Sequence, residues 1–214
     1  PLSTAQVVYG SDKLANTIQR FCGVQQTKAI MLYGSYGLGK STIAALLPYE
    51  IDPTIVEFQV EWFGADNLHN YKAKLHEIEV HIKCGFYPFA YIIIDEFDNY
   101  PPEFQRTLKN VMDRWKGFVL FIFTTNYIDK VDKGIQSRCK KIAITPPNPV
   151  RWIHRFTEIC TLENVPTPSD IDIVSMLSNA DDGREVMEII EDYCVSVQQA
   201  KPKPRRRRLK KLVT

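Results

Sequence analysis

Continuous apolar runs alternate with segments of helical period over the first two-thirds of the chain. Ala29–Tyr33 (AIMLY) is a short apolar run stopped by Gly34. Phe89–Ile94 and Phe118–Thr124 are almost free of polar residues, as strands buried on both faces are. Thr54–Val60 and Lys141–Thr145 complete a set of five predicted strands. Between them, Lys40–Leu47, Asn67–Lys83 and Pro102–Trp115 read as helices. Strands that alternate with helices predict a parallel sheet covered on both faces. Pro146, Pro147 and Pro149 then interrupt the pattern. Beyond them the strand signal ends. Val150–Leu162, Pro168–Asn179 and Gly183–Gln199 read as three helices, with Ile189, Ile190 and Tyr193 at helical spacing. The expected organisation is an α/β domain over residues 1–147, a small helical domain over 148–200 and a tail over 201–214. No internal repeat is visible.

Composition narrows the class. The 214 residues are 44% apolar and 24% charged, which is ordinary globular usage and sets aside fibrous and low-complexity chains. No apolar stretch is long enough to span a bilayer, and no apolar signal segment opens the chain. The first residue is proline, as expected of a fragment or a processed chain. Five dispersed cysteines (Cys22, Cys84, Cys139, Cys160 and Cys194) form no CxxC pair and read as reduced thiols of a cytoplasmic or nuclear protein. His69, His76 and His81 lie near Cys84, but spacings of seven and five on a helix do not converge on a metal.

Charge is divided unevenly. The net charge is +2, but residues 201–214 (KPKPRRRRLKKLVT) hold eight Lys/Arg and no acid, which leaves the other 200 residues at −6. Such a run cannot pack, and disorder is expected of it. It reads as a phosphate-contacting arm for DNA, as a nuclear-import signal, or as a solubilising tail.

The chemistry lies at the ends of the predicted strands. Gly34-Ser35-Tyr36-Gly37-Leu38-Gly39-Lys40-Ser41 fits GxxxxGK[ST] directly after an apolar strand and before a helix. Its glycines let backbone N–H groups curl around phosphates, and the helix that begins near Lys40 aims its positive end at them. Lys40 is expected to reach the β- and γ-phosphates, and the Ser41 hydroxyl, followed by Thr42, to ligate Mg²⁺. Asp95 and Glu96 end the third strand, 55 residues after Lys40, at the mouth where open α/β sheets bind ligands. Asp95 is expected to hold the metal and its water shell, and Glu96 to act as general base toward the attacking water. Asp98 reads as a helix-start or loop residue. Asn126 ends the fourth strand and is placed to orient that water or sense the γ-phosphate, or else simply forms the turn there. Arg138, in Ser137-Arg138-Cys139, suits an arginine finger given to a neighbouring nucleotide, or a surface ion pair.

Taken in order, these motifs resemble the AAA+ ATPase superfamily, and within it the clamp-loader branch that includes small subunits of replication factor C. GSYGLGKS resembles its Walker A motif and IIIDEFD its Walker B. Thr124-Thr125-Asn126 resembles sensor 1, and Ser137-Arg138-Cys139 its SRC arginine-finger motif. Pro102–Met112 resembles the helix after Walker B. Asp182-Gly183-Arg184 resembles sensor 2, although the family order is GDxR. Val7-Val8-Tyr9-Gly10, followed by a helix to Cys22, resembles the entry segment beside adenine, without the KYRP-like box. Tyr36 stands where the family has a small residue or proline.

The resemblance covers about residues 7–200 and includes no counterpart of the family's third, collar domain. It implies a five-stranded parallel sheet of order 5-1-4-3-2 with a helical lid. The implied ligand is ATP with Mg²⁺, cradled by Gly34–Thr42 with Val8 and Tyr9 near the base. Arg184 acts in cis and Arg138 in trans. It further implies an ATPase in a homo- or hetero-oligomer, a pentamer or hexamer, acting on DNA or a DNA-bound replication protein, with no membrane. A viral or plasmid replication helicase-type hexameric motor, or a nucleotide-dependent assembly switch, would carry many of the same motifs.

Overall fold

A computed structural model describes residues 3–200, apart from 25, 27, 65, 67, 68, 87 and 88. The basic tail lies outside the described residues. Five strands form one sheet: β1 (Ala29–Tyr33), β2 (Val60–Phe63), β3 (Ala90–Ile94), β4 (Val119–Thr125) and β5 (Cys139–Ala143). All neighbours are parallel, and the order is β2-β3-β4-β1-β5. Read from the other edge, this is the expected 5-1-4-3-2.

Alternation along the strands divides the core in two. Met31, Ile92, Ile94, Phe121 and Phe123 face one side. There they meet Leu75 and Ile78 of α3 (Tyr71–Lys83) and Phe104, Leu108 and Val111 of α4 (Pro102–Arg114). Ile30, Leu32, Tyr91, Ile93, Leu120 and Ile122 face the other side. They pack on Leu14 and Ile18 of α1 (Asp12–Gln19) and on Ile43, Ala44 and Leu47 of α2 (Lys40–Ile51). Every residue of β3 and β4 is buried, which is why both runs are almost wholly apolar, with only Thr124 and Thr125 polar at the end of β4.

Several elements depart from the expected bounds. The second strand is Val60–Phe63 rather than Thr54–Val60. Thr54 instead turns back on Asp52, whose Oδ1 accepts from its N–H at 2.9 Å and its hydroxyl at 2.6 Å, and Glu57–Gln59 forms a 3-10 turn. Helix α2 continues through Pro48 to Ile51, because Pro48 and Ile51 are buried on the face that already holds Leu47. Packing of that face outweighs the helix-breaking tendency of proline. The fifth strand also starts earlier than expected, at Cys139, which pairs with Ala29.

After a short α5 (Lys133–Arg138) and β5, the chain enters α6 (Ile153–Leu162), α7 (Asp170–Leu177) and α8 (Gly183–Ala200). These helices bury a cluster of their own, which includes Phe156, Cys160, Ile173, Leu177 and Ile190. The register of the sheet brings the ends of β1, β3 and β4 level: Tyr33 pairs with Thr125, and Ile94 with Phe123.

Candidate nucleotide-binding site

The loop after β1 turns at glycines that other residues replace only with displacement of a neighbour or backbone strain. Gly34 donates its N–H to Thr125 O at 3.3 Å, and a Cβ there would lie 2.3 Å from Ile144 O. Gly37 and Gly39 have φ of +69° and +74°, in the left-handed region that glycine enters without strain. Gly39 caps α2, so the first turn of that helix opens toward the loop. The Lys40 side chain is buried and curls back to donate from Nζ to Ser35 O at 2.6 Å. Burial pushes the Lys40 ammonium below its ordinary pKa; the Asp95, Asp98 and Glu96 carboxylates oppose this, and Arg184 adds to it.

The acids after β3 are locked to this loop and to the end of β4. Asp95 Oδ1 accepts from Ser41 Oγ at 2.8 Å and also from the Thr124 hydroxyl. Thr124 Oγ1 in turn accepts the Glu96 N–H at 2.9 Å. Glu96 is a non-glycine residue at φ +49°, which turns its carboxylate out of the strand direction. That conformation costs roughly 1–2 kcal/mol and is held here by the Thr124 bond. Asn99 Nδ2 donates to Glu96 Oε2 at 3.1 Å. Asp98 is more than a loop residue: its Oδ1 accepts from Thr125 Oγ1 at 2.7 Å and from the Asn126 N–H at 3.1 Å. It thereby fixes the turn that presents Asn126.

These groups open on one cleft of about 840 Å³, lined by Tyr36–Thr42, Glu96, Thr124 and Asn126 on one wall. Val7, Val8 and Pro147 contribute to the rim. Trp152, Ile159, Arg184, Met187 and Ile190 form the opposing helical wall. Gly183 donates its N–H to Gly37 O at 3.1 Å, a direct link from the start of α8 to the loop. Asp182 Oδ1 caps that helix by accepting from the N–H groups of Arg184 (2.7 Å) and Glu185 (3.1 Å). At the mouth, the Tyr36 hydroxyl donates to the Tyr127 hydroxyl at 3.3 Å. That bond, first among several causes, pushes the Tyr36 phenol up to about 12.

The arrangement presents backbone donors, an ammonium and a guanidinium to an anionic chain, beside oxygen ligands. Ser41 Oγ and Asp95 Oδ1 fit Mg²⁺, which takes a few protein oxygens and keeps several waters.

The structure brings together Lys40, Ser41, Asp95, Glu96, Asn126 and Arg184, as the sequence suggests. Gly34 and Ser35 shape the loop from behind rather than line the cleft. Tyr9 is a correction. Its ring is buried in the core, its hydroxyl donates to Thr4 O at 3.0 Å, and it borders a separate cavity of about 410 Å³. Val7 and Val8 line the main cleft in its place. Arg138 stands apart from its own cleft, paired with Asp113. Sequence reasoning missed Thr124, Trp152 and Met187. A threonine in a buried apolar strand was the available signal for the first.

A family model described as "ATPase family associated with various cellular activities (AAA)" matches residues 30–147. The chain belongs to the AAA ATPases. The match spans β1 to the prolines, and so contains the loop, both acids, Asn126 and Arg138. Curated relatives of this AAA chain include the replication factor C small subunit of Methanosphaera stadtmanae, 26% identical over 76% of this chain and 51% of the relative. Replication factor C subunit 5 of Mus musculus is 25% identical over 89% of this chain and 57% of the relative. The chain thus spans about half the length of these relatives. Among solved structures, a DNA polymerase III gamma subunit-related protein from Thermotoga maritima matches with a TM-score of 0.52 at 13% identity, over 84% of this chain and 58% of that one. That likeness concerns the fold. Among the described residues no helix is long and apolar enough to cross a membrane, and no cluster of three metal-binding side chains occurs.

Proposed function

We propose that this AAA chain binds ATP with Mg²⁺ in the cleft and hydrolyses it at an interface between subunits, as part of an assembly that acts on DNA-replication components. The observation that carries this reading is the convergence of Tyr36–Thr42, Glu96, Asn126 and Arg184 on one cleft, with Asp95 Oδ1 held 2.8 Å from Ser41 Oγ. Lys40 and the loop N–H groups hold the β- and γ-phosphates. Ser41 and Asp95 hold Mg²⁺, which neutralises phosphate charge. Glu96 takes the proton of the attacking water, and Asn126 orients that water. Arg184 reaches the γ-phosphate from the lid. Arg138, remote from its own cleft, serves the cleft of a neighbour. We divide the chain accordingly into a nucleotide-binding domain to residue 147 and a lid over 148–200.

Similarity to replication factor C small subunits supports a clamp-loader-like role in a pentamer or hexamer on DNA. The test is phosphate release together with mass in solution. Glu96→Gln is expected to bind ATP and release no phosphate, and Lys40→Ala to bind none. A non-hydrolysable ATP analogue is expected to raise the mass to that of a five- or six-subunit ring. Wild-type turnover in Glu96→Gln removes Glu96 from the base role, and turnover independent of protein concentration removes the shared interface.

A further inference from the structure

Arg138 ends α5, a helix of six residues, too short to hold its own shape. Three side chains one turn apart on α4 hold it: Gln105, Lys109 and Asp113. Gln105 Oε1 accepts the Asp132 N–H at 2.8 Å, and Lys109 Nζ meets Asp132 Oδ2 at 3.2 Å, both at the start of α5. Asp113 meets Arg138 at its end. The charges run positive then negative along α4, and negative then positive along α5, so the short helix is clamped at both ends.

The clamp on Arg138 has a defined orientation. Nε donates to Asp113 Oδ1 at 2.8 Å and Nη2 to Asp113 Oδ2 at 2.6 Å, while Nη1 donates to Gly134 O at 2.8 Å. A guanidinium has five N–H donors. These contacts use three. Two N–H donors, one on each terminal nitrogen, thus remain for the oxygens of a phosphate. The side chain is about a third exposed, so the guanidinium is not sealed off from a partner.

We propose that Asp113 is the positioning residue of Arg138: it holds the Nε side of the guanidinium in a bidentate pair and so presents the remaining terminal N–H donors to the γ-phosphate of a neighbouring copy. The proposal rests on the trans role given to Arg138 above. An arginine fixed beforehand need not be immobilised during the reaction, and its displacement by about 1 Å is enough to lower turnover on the order of a hundredfold.

Mixed assemblies separate the two readings. A Glu96→Gln subunit donates Arg138 but cannot hydrolyse; an Arg138→Ala subunit can hydrolyse but donates nothing. Mixed, they are expected to recover turnover that neither has alone. No recovery overturns the trans role, and this inference with it. Given recovery, Asp113→Ala added to the Glu96→Gln donor is expected to cut the recovered kcat about ten- to a hundredfold at saturating donor. Asp113→Glu is expected to restore most of it. ATP affinity in the variant's own cleft and its melting temperature are expected to stay near the parent's. Asp113→Asn, of the same shape, replaces Asp113→Ala if the latter fails to fold. Recovery as strong with the Ala or Asn donor as with its parent overturns the positioning role.

Discussion

At Gly37 the start of α8 touches the loop after β1, and Gly37→Ala measures that contact. A Cβ there would lie 2.1 Å from Asp182 Oδ2 and 2.2 Å from Asp182 Cγ. Two costs follow. The left-handed φ of +69° is unfavourable for alanine by roughly 1–2 kcal/mol. Moving the Asp182 turn away breaks the 3.1 Å bond from Gly183 N–H to Gly37 O, worth about 0.5–1.5 kcal/mol. The expected loss of stability is therefore about 1.5–3.5 kcal/mol. Only the second part depends on Asp182. Asp182→Gly removes the obstruction, including the Asp182 Cβ that would lie 2.5 Å from the new one, and alone it costs a few tenths of a kcal/mol although the carboxylate caps α8. The double variant should then be more stable than the two single losses predict, by about 0.5–1.5 kcal/mol. Urea unfolding of wild type, both singles and the double, followed by circular dichroism, gives the coupling directly. Losses that add to within about 0.5 kcal/mol would show that the carboxylate does not lie against Gly37 in solution.

Thr124→Val keeps the shape of a buried side chain but strips the partner from the Glu96 N–H and a donor from Asp95. It is expected to lower stability by about 1–3 kcal/mol and to slow ATP turnover with little change in ATP affinity, and Thr124→Ser should retain turnover. Unchanged kcat in the valine variant would exclude a role in aiming Glu96. Stability should also fall in alkali. Burial pushes the Cys139 thiol up to about 12 and the Cys160 thiol up to about 11, and the buried Tyr91 phenol up to about 12. The unfolded chain releases these thiol protons near pH 8.5, while the folded chain keeps them. The contribution is therefore complete at neutral pH and is lost as pH rises from about 9 toward 12, at about 1.4 kcal/mol per group and pH unit. Urea unfolding between pH 8 and 11 should show the fall, and Cys139→Ala should flatten it. A profile equally steep in that variant would assign the loss to other groups.

Much of this arrangement is legible in the residues. Strands β1, β3 and β4 declare themselves because both of their faces are covered, so apolar side chains fill nearly every position up to the hydrogen-bonding ends. The loop motif and the two acids follow from strand ends, which the apolar runs locate. Edges are harder. Strand β2 pairs only with β3, and its half-buried residues give a weak pattern, so the apolar Thr54–Val60 stretch masks a turn made by Asp52. Tyr9 and Val8 illustrate a second limit. Adjacent side chains on an extended segment point opposite ways, and the sequence does not say which of the two faces the cleft. Thr124, Asp98 and Asp113 act through hydrogen bonds between elements remote in the chain. Their roles depend on strand register and helix packing, which no local spacing encodes. In α4, the four-residue recurrence of Gln105, Lys109 and Asp113 was visible; its partner α5 was not.

The strand order has a bearing on how the chain comes to be made. β1 has no strand neighbour until β4 and β5 exist, since β2 and β3 lie on the far side of β4. The loop that begins at Gly34 is held on one flank by Thr125 and on the other by Ile144, more than a hundred residues later. Pairings that close over such distances form late. On a translating ribosome, β1 must wait, with an unformed ligand site, until the segment through Ile144 has left the exit tunnel.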